Sequence, residues 1–219
     1  MSQTKTIVVG NGKGGVGKSF FSLNAVIDLN DRGLPTVMID GEKRTWPNAN
    51  RLLAVDSSIN TFTIETMEEC IEAVEQSRNR GYNVVIDWAG ELTDEVEELS
   101  RIADLWVVPF TFGEQELIQT RPTVTLLRAQ QLLRNGDPEA WIFFNETRKR
   151  DASVKKYRDL LEPMGVPIAQ ARLRKLDEYR DFRTVLRDPA LDNNGAATDF
   201  RLLMDEIVMP YFFDGAANA

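Results

Sequence analysis

The chain has 219 residues, 42% of them hydrophobic, and a formal net charge of −8, a length that suits one domain with a substantial core. It contains no histidine and a single cysteine, Cys70. That excludes histidine-based triads, an intramolecular disulfide and nearly all zinc sites, and leaves carboxylates, lysines, backbone dipoles and a hard cation for any chemistry. No apolar run approaches the ~18 residues of a spanning helix. Met1-Ser2-Gln3-Thr4-Lys5 lacks the apolar core of a signal peptide. The sequence therefore predicts a protein of a bacterial-type cytoplasm with no membrane partner.

Thr6-Ile7-Val8-Val9 predicts a buried strand. It runs into Gly12-Lys13-Gly14-Gly15-Val16-Gly17-Lys18-Ser19, and a helical pattern follows over 19–32, ending at Gly33. Strand, glycine-rich loop, Lys-Ser and helix, in that order, form the context in which G-x-x-x-x-G-K-[ST] binds phosphate. Glycines let successive backbone N–H groups turn toward one anion, and the helix N-terminus adds partial positive charge at the same place. Lys18 is placed to reach the β- and γ-phosphates, and the Ser19 hydroxyl to ligate Mg²⁺. Gly12, Gly14, Gly15, Val16, Gly17, Lys18, Ser19 and Phe20 are the predicted nucleotide contacts.

Further on, Pro35-Thr36-Val37-Met38-Ile39-Asp40 reads as a buried strand. Residues 66–79 form an amphipathic helix with Met67, Ile71 and Val74 on one face, where Cys70 is expected as a buried small apolar residue. Asn83-Val84-Val85-Ile86-Asp87 is a strand with a turn at Gly90. A helix over 93–103, a strand over 105–109, a long helix over 114–134 and the strand Trp141-Ile142-Phe143-Phe144-Asn145 follow. Helices are predicted near 151–162, 177–187 and 197–208, and residues 214–219 are expected to be frayed. The alternation predicts an α/β, three-layer P-loop fold, with a mainly parallel sheet and helices on both faces, forming one domain over 1–213.

Two apolar strands end in a carboxylate, Asp40 and Asp87. In open parallel sheets, ligands sit at the carboxyl ends of the strands, where the phosphate loop also lies. Asp87 closes an apolar run in the Walker B manner and would hold Mg²⁺ through water; the other reading of its position is a helix N-cap. Gly90 would then be a hinge that senses the γ-phosphate. Charge is uneven: residues 61–145 carry a net −10 and residues 146–190 a net +4. The basic segment is the candidate for nucleic acid, and helix faces paired with Asp151, Asp177, Glu178 and Asp181 are the plain alternative.

Lys13, between Gly12 and Gly14, is a second lysine that the loop does not need for its own phosphates; on its own it also fits a solvated loop residue. The whole segment Asn11–Ser19 resembles the deviant Walker A signature of the ParA/MinD ATPases. That resemblance implies a homodimer on ATP, with Lys13 reaching the partner's phosphates as an arginine finger does. Asp40-Gly41-Glu42 resembles the switch-I segment, where the family usually has Asp-x-Asp. The resemblance therefore implies catalytic roles for Lys13, Lys18, Asp40 and Glu42, and metal binding by Ser19, Asp40 and Asp87. Glu42 keeps the charge but adds a methylene, and a misplacement of ~1 Å costs on the order of 10²-fold in rate, so the expectation is either slow hydrolysis or a larger share of the role for Asp40. An asparagine near Asn145 contacts adenine in relatives; Arg148 stacking on the base, or a plain turn role for Asn145, remain open. Phe110–Leu117 resembles the segment before the family's long interface helix.

Within that resemblance, the chain looks most like the small partition ATPases. Implied partners are a centromere-binding or other activator protein, and nonspecific DNA through Arg172, Arg174, Lys175 and Arg180. There is no room before Thr6 for a helix-turn-helix. The end of the chain lacks a basic amphipathic membrane helix, and Cys70 alone cannot share an iron–sulfur cluster. Accessory ATPases of conjugation, secretion or cargo positioning form the alternative, and a P-loop biosynthetic synthetase a more distant one.

Overall fold

Helices alternate with strands along most of the chain, and such crossings bring each new strand into the sheet in the same direction as the last. The computed structural model describes residues 4–41, 56–88, 93–147, 152–175, 185–187 and 195–213. Its strands are β1 (Thr6–Gly10), β2 (Thr36–Asp40), β3 (Thr61–Thr63), β4 (Asn83–Trp88), β5 (Leu105–Phe110) and β6 (Glu139–Phe144). They lie in the order β3-β2-β4-β1-β5-β6 and every pairing is parallel. The sheet of the described residues is thus wholly parallel. The short β3, Thr-Phe-Thr, is not expected from the sequence; three residues are too few to carry a period.

The helices are α1 (Lys18–Asp31), α2 (Met67–Asn79), α3 (Thr93–Ile102), α4 (Glu114–Leu133), α5 (Ala152–Leu161), α6 (Ala196–Ile207) and α7 (Pro210–Phe213), with a 3₁₀ turn over Glu162–Met164. Side chains alternate across each strand and so build two cores. Ile7, Val9, Met38, Val85, Leu105, Val107 and Phe143 join α1 and α6 on one face, where Phe21 touches Phe143 and Phe200. Val8, Val37, Ile39, Val84, Ile86, Trp106, Val108, Ile142 and Phe144 join α2, α3, α4 and α5 on the other. Both faces are covered, which is why the strands read as unbroken apolar runs rather than alternating ones.

Local signals explain the boundaries. Gly17, in the left-handed region at φ 101°, starts α1. Gly33, at φ 76°, closes it, with the Leu34 amide donating back to the Leu29 carbonyl. Thr66 and Glu69 form a reciprocal capping box at the start of α2. The buried face of α2 is Cys70, Ala73, Val74 and Ser77, with Met67 packed beside it. Cys70 is buried there as expected.

Beyond α5, the segment 166–175 runs beside β6 without forming a regular strand. The Ile142 amide donates to the Pro167 carbonyl, and the Leu173 amide to the Phe144 carbonyl. Single parallel bridges join Ile142 to Ile168 and Thr147 to Arg174. Of the helix expected over 177–187, only 185–187 falls in the described residues, and these form a turn. Glu42, Gly90, Arg148, Arg180 and the expected frayed end at 214–219 lie outside the described residues.

Candidate functional site

The register of the sheet sets the site. Asp40 on β2 pairs with Asp87 on β4, and Val9 on β1 pairs with Asp87 from the other side. Adjacent strands lie about 4.8 Å apart, so both carboxylates sit at the edge where β1 gives way to the glycine-rich loop. Both are buried. The Gly41 amide donates to the Asp87 carbonyl at 3.0 Å. A Cβ at Gly41 would lie 2.5 Å from the Trp88 ring, so Gly41 lets Trp88 close over the end of β2. The Trp88 indole N–H in turn donates to Glu95 at 2.9 Å.

The loop takes its shape from two positive-φ glycines, Gly15 at 76° and Gly17 at 101°. A Cβ at Gly14 or Gly15 would meet nothing within 4 Å, and both residues are exposed. The crown of the loop therefore opens to solvent. Its walls are held from two sides. The Asn145 side-chain amide donates to the Val16 carbonyl at 2.8 Å, and its oxygen accepts the Glu146 amide at 2.8 Å. On the opposite side, the Gly12 amide donates to the Thr123 hydroxyl at 3.2 Å. The buried Asn11 donates to the Pro109 carbonyl at 2.8 Å and to the Thr120 hydroxyl at 3.0 Å. The Asn11 oxygen accepts the Lys13 amide at 3.3 Å.

Lys18 opens α1 and is buried. Its ammonium donates to the Lys13 carbonyl at 2.9 Å and the Asn11 carbonyl at 3.3 Å. The first turn of α1 has no acidic side chain, so its positive end faces the loop without a carboxylate of its own. Ser19 and Phe20 follow in that turn. A helix N-terminus, curled backbone amides and a lysine at one place make a site for an anion, and phosphate fits it.

The Asp40 and Asp87 carboxylates and the Ser19 hydroxyl are the hard oxygens that could hold a cation here. Among the described residues, no group of three or more acidic or cysteine side chains forms a cage. Two carboxylates and a hydroxyl would suit Mg²⁺, which keeps several waters and takes further ligands from substrate phosphates.

Two of the basic residues are paired within the chain. Arg174 donates to Asp199 on α6 at 2.5 Å, and its guanidinium occupies the space that a Cβ at Gly195 would need. Lys175 pairs with Glu146 at 3.7 Å. Arg172 is half-buried and Lys155 and Lys156 are exposed, with the Lys156 ammonium 5.3 Å from the centre of the Tyr157 ring. Sequence reasoning missed Asn11, Thr120 and Thr123 as parts of the site. Asn11 and the threonines are about 110 positions apart, and no local pattern joins them. No helix of the described residues is long and apolar enough to cross a membrane.

No family model and no curated protein sequence matches the chain. Solved structures do. MinD, a cell division protein of Aquifex aeolicus, superposes with a TM-score of 0.61 at 18% identity, covering 94% of this chain and 98% of that one. An ATP complex of a Cyanothece McdA variant gives 0.67 at 12% identity, covering 94% and 96%. The pNOB8 ParA bound to nonspecific DNA gives 0.56 at 14% identity, covering 92% and 99%. Six parallel strands with the phosphate loop after β1, matched over nearly the whole of each neighbour, give this chain the fold of the MinD/ParA ATPases.

Proposed function

We propose that the chain is a Mg²⁺-dependent ATPase that dimerises on ATP and acts in DNA partition, with a partner protein stimulating hydrolysis. The observation that carries this reading is the juxtaposition of a complete phosphate loop, opening α1, with Asp40 and Asp87 in register at the same sheet edge. Lys18 would leave the loop's own carbonyls for the β- and γ-phosphates. Ser19, Asp40 and Asp87 would hold Mg²⁺, which supplies charge neutralisation on the phosphate oxygens. Asp40, with Glu42, would orient the attacking water. Lys13 would reach the phosphates of a second copy, where transition-state charge develops. Asn145 and Arg148 are the candidates for the adenine.

Two features support dimerisation. Gly14 and Gly15 leave the crown of the loop open, which suits close approach of a second subunit. Ile118 on α4 is 65% exposed, in the turn whose Gln119 carbonyl lies 3.2 Å from a Cβ position at Gly12. DNA binding would rest on Arg172, Arg174, Lys175 and Arg180, contributed twice by a dimer. The engagement of Arg174 and Lys175 within the chain favours a second reading, an accessory ATPase that positions a protein cargo. The reading places the protein in the cytoplasm as one domain over 1–213.

Titration with a fluorescent ATP analogue tests the nucleotide site. Magnesium-dependent binding in the wild type, lost in Lys18→Ala, is the expected result; no binding by the wild type would contradict the proposal.

A further inference from the structure

One turn of α4 is turned toward the phosphate loop. Thr120 and Thr123 are both buried, and in a helix such hydroxyls commonly bond back to the carbonyl four residues earlier. Here they serve the loop instead. Thr123 accepts the Gly12 amide, and Thr120 meets both polar atoms of the Asn11 side chain, at 3.0 Å to its nitrogen and 3.3 Å to its oxygen. Pro122 lies within the same turn. It has no N–H to give to the Ile118 carbonyl, so this turn of the helix is missing one backbone bond of its own. Gly12 completes the fit, since a Cβ there would come within 3.2 Å of the Gln119 carbonyl.

The chain of bonds ends on Lys13. Asn11 holds the Lys13 amide at 3.3 Å, and Lys18 holds the Lys13 carbonyl at 2.9 Å. Were Lys18 to turn to a phosphate, the carbonyl would lose that donor, while the bond from Asn11 to the amide would still hold residue 13. Asn11 is in turn fixed by Thr120 and the Pro109 carbonyl.

We propose that Thr120, acting through Asn11, is a positioning residue that sets the direction in which Lys13 leaves the loop. This rests on the reading of Lys13 as the lysine that acts on a second subunit. The hydroxyl of Thr120 orients the Asn11 amide, and the oxygen of that amide orients the Lys13 peptide. A lysine side chain rooted in a fixed peptide loses less on reaching a distant phosphate than one rooted in a wandering loop. The arrangement also links α4 to the loop, so a contact on the outer face of that helix bears on Lys13.

Four variants of the full chain test it: Thr120→Val, Thr120→Ser, Val124→Ala and Lys13→Ala. Val124 is buried on the same helix and its apolar side chain makes no hydrogen bond to the loop, so it reports a purely structural loss. ATP affinity, kcat, ATP-dependent dimerisation and the thermal midpoint are measured for each. Thr120→Val is expected to keep ATP affinity within about threefold while kcat and dimerisation fall about tenfold, a part of the ~10²-fold that a full ~1 Å misplacement of the group costs. Thr120→Ser restores both, and Val124→Ala lowers the midpoint without lowering kcat. Lys13→Ala, which loses hydrolysis and dimerisation outright, sets the floor against which the partial loss in Thr120→Val is read. Thr120→Ala, which adds no methyl in place of the hydroxyl, makes the same comparison where the valine variant does not fold. Wild-type kcat and dimerisation in Thr120→Val, or a kcat in Thr120→Ser as low as that of Thr120→Val, overturns the inference alone. A wild type that neither binds ATP nor dimerises on it overturns the underlying reading as well.

Discussion

The side-chain amide of Asn145 fills the space that a Cβ on Gly17 would occupy. The last strand of the sheet is thereby keyed to the phosphate loop, and Gly17 is fixed for two separate reasons: this contact and its φ of 101°.

The two reasons separate in a mutant cycle. Gly17→Ala is expected to cost about 1–2 kcal/mol from the left-handed backbone alone, and more from the clash. Asn145→Ala leaves the Val16 carbonyl without its donor, at about 1–3 kcal/mol. The double variant should be less destabilised than the sum, because removing the amide relieves the clash. Urea unfolding of the four proteins checks this, and strict additivity would contradict it.

The two lysines of the loop should fail in different ways. Lys18→Ala is expected to abolish ATP binding. Lys13→Ala should keep binding but lose hydrolysis and ATP-dependent dimerisation. Calorimetric titration with ATP and a phosphate-release assay distinguish them. Normal turnover in Lys13→Ala would remove the action of that lysine on a second subunit.

Arg174 and the exposed lysines of α5 should also part company. Arg174→Ala breaks a half-exposed pair with Asp199 and is expected to cost about 1 kcal/mol in stability. Lys155→Ala and Lys156→Ala should leave stability unchanged. If α5 meets DNA, each lysine lost lowers the salt slope of binding by about 1. A salt titration on nonspecific duplex reads this out; a slope unchanged in both lysine variants excludes α5 from the DNA surface.

Cys70 is a buried thiol whose pKa is pushed up by desolvation from 9.0 to about 12. The folded chain therefore holds its proton where the unfolded chain has lost it. The associated stability is present below pH 9 and is lost as pH rises toward about 12. At neutral pH, iodoacetamide should label Cys70 only in denaturant. Labelling of the native protein at the rate of a free thiol would contradict the burial.

How far the sequence alone reaches can be seen residue by residue. The loop 12–19, Asp40 and Asp87 are legible because each follows an apolar strand, and strand ends collect at one edge. The parallel fold is legible because buried strands and helical segments alternate. Asn11, Thr120 and Thr123 are not, since their meeting depends on how α4 lies across the loop. The segment 166–175 escapes notice because it pairs with β6 around Pro167–Ala169 and again at Leu173, too briefly to carry the period of a strand. Arg174 is a DNA candidate in the sequence, with pairing to nearby acids as the alternative, and the packing of α6 gives it Asp199, which no local pattern shows.

Light scattering coupled to size exclusion reads out dimerisation on ATP. With Mg²⁺ and ATP, the 24.8 kDa chain should elute as a dimer, and with ADP as a monomer. A monomer under both conditions, at concentrations that saturate the nucleotide site, would contradict the account.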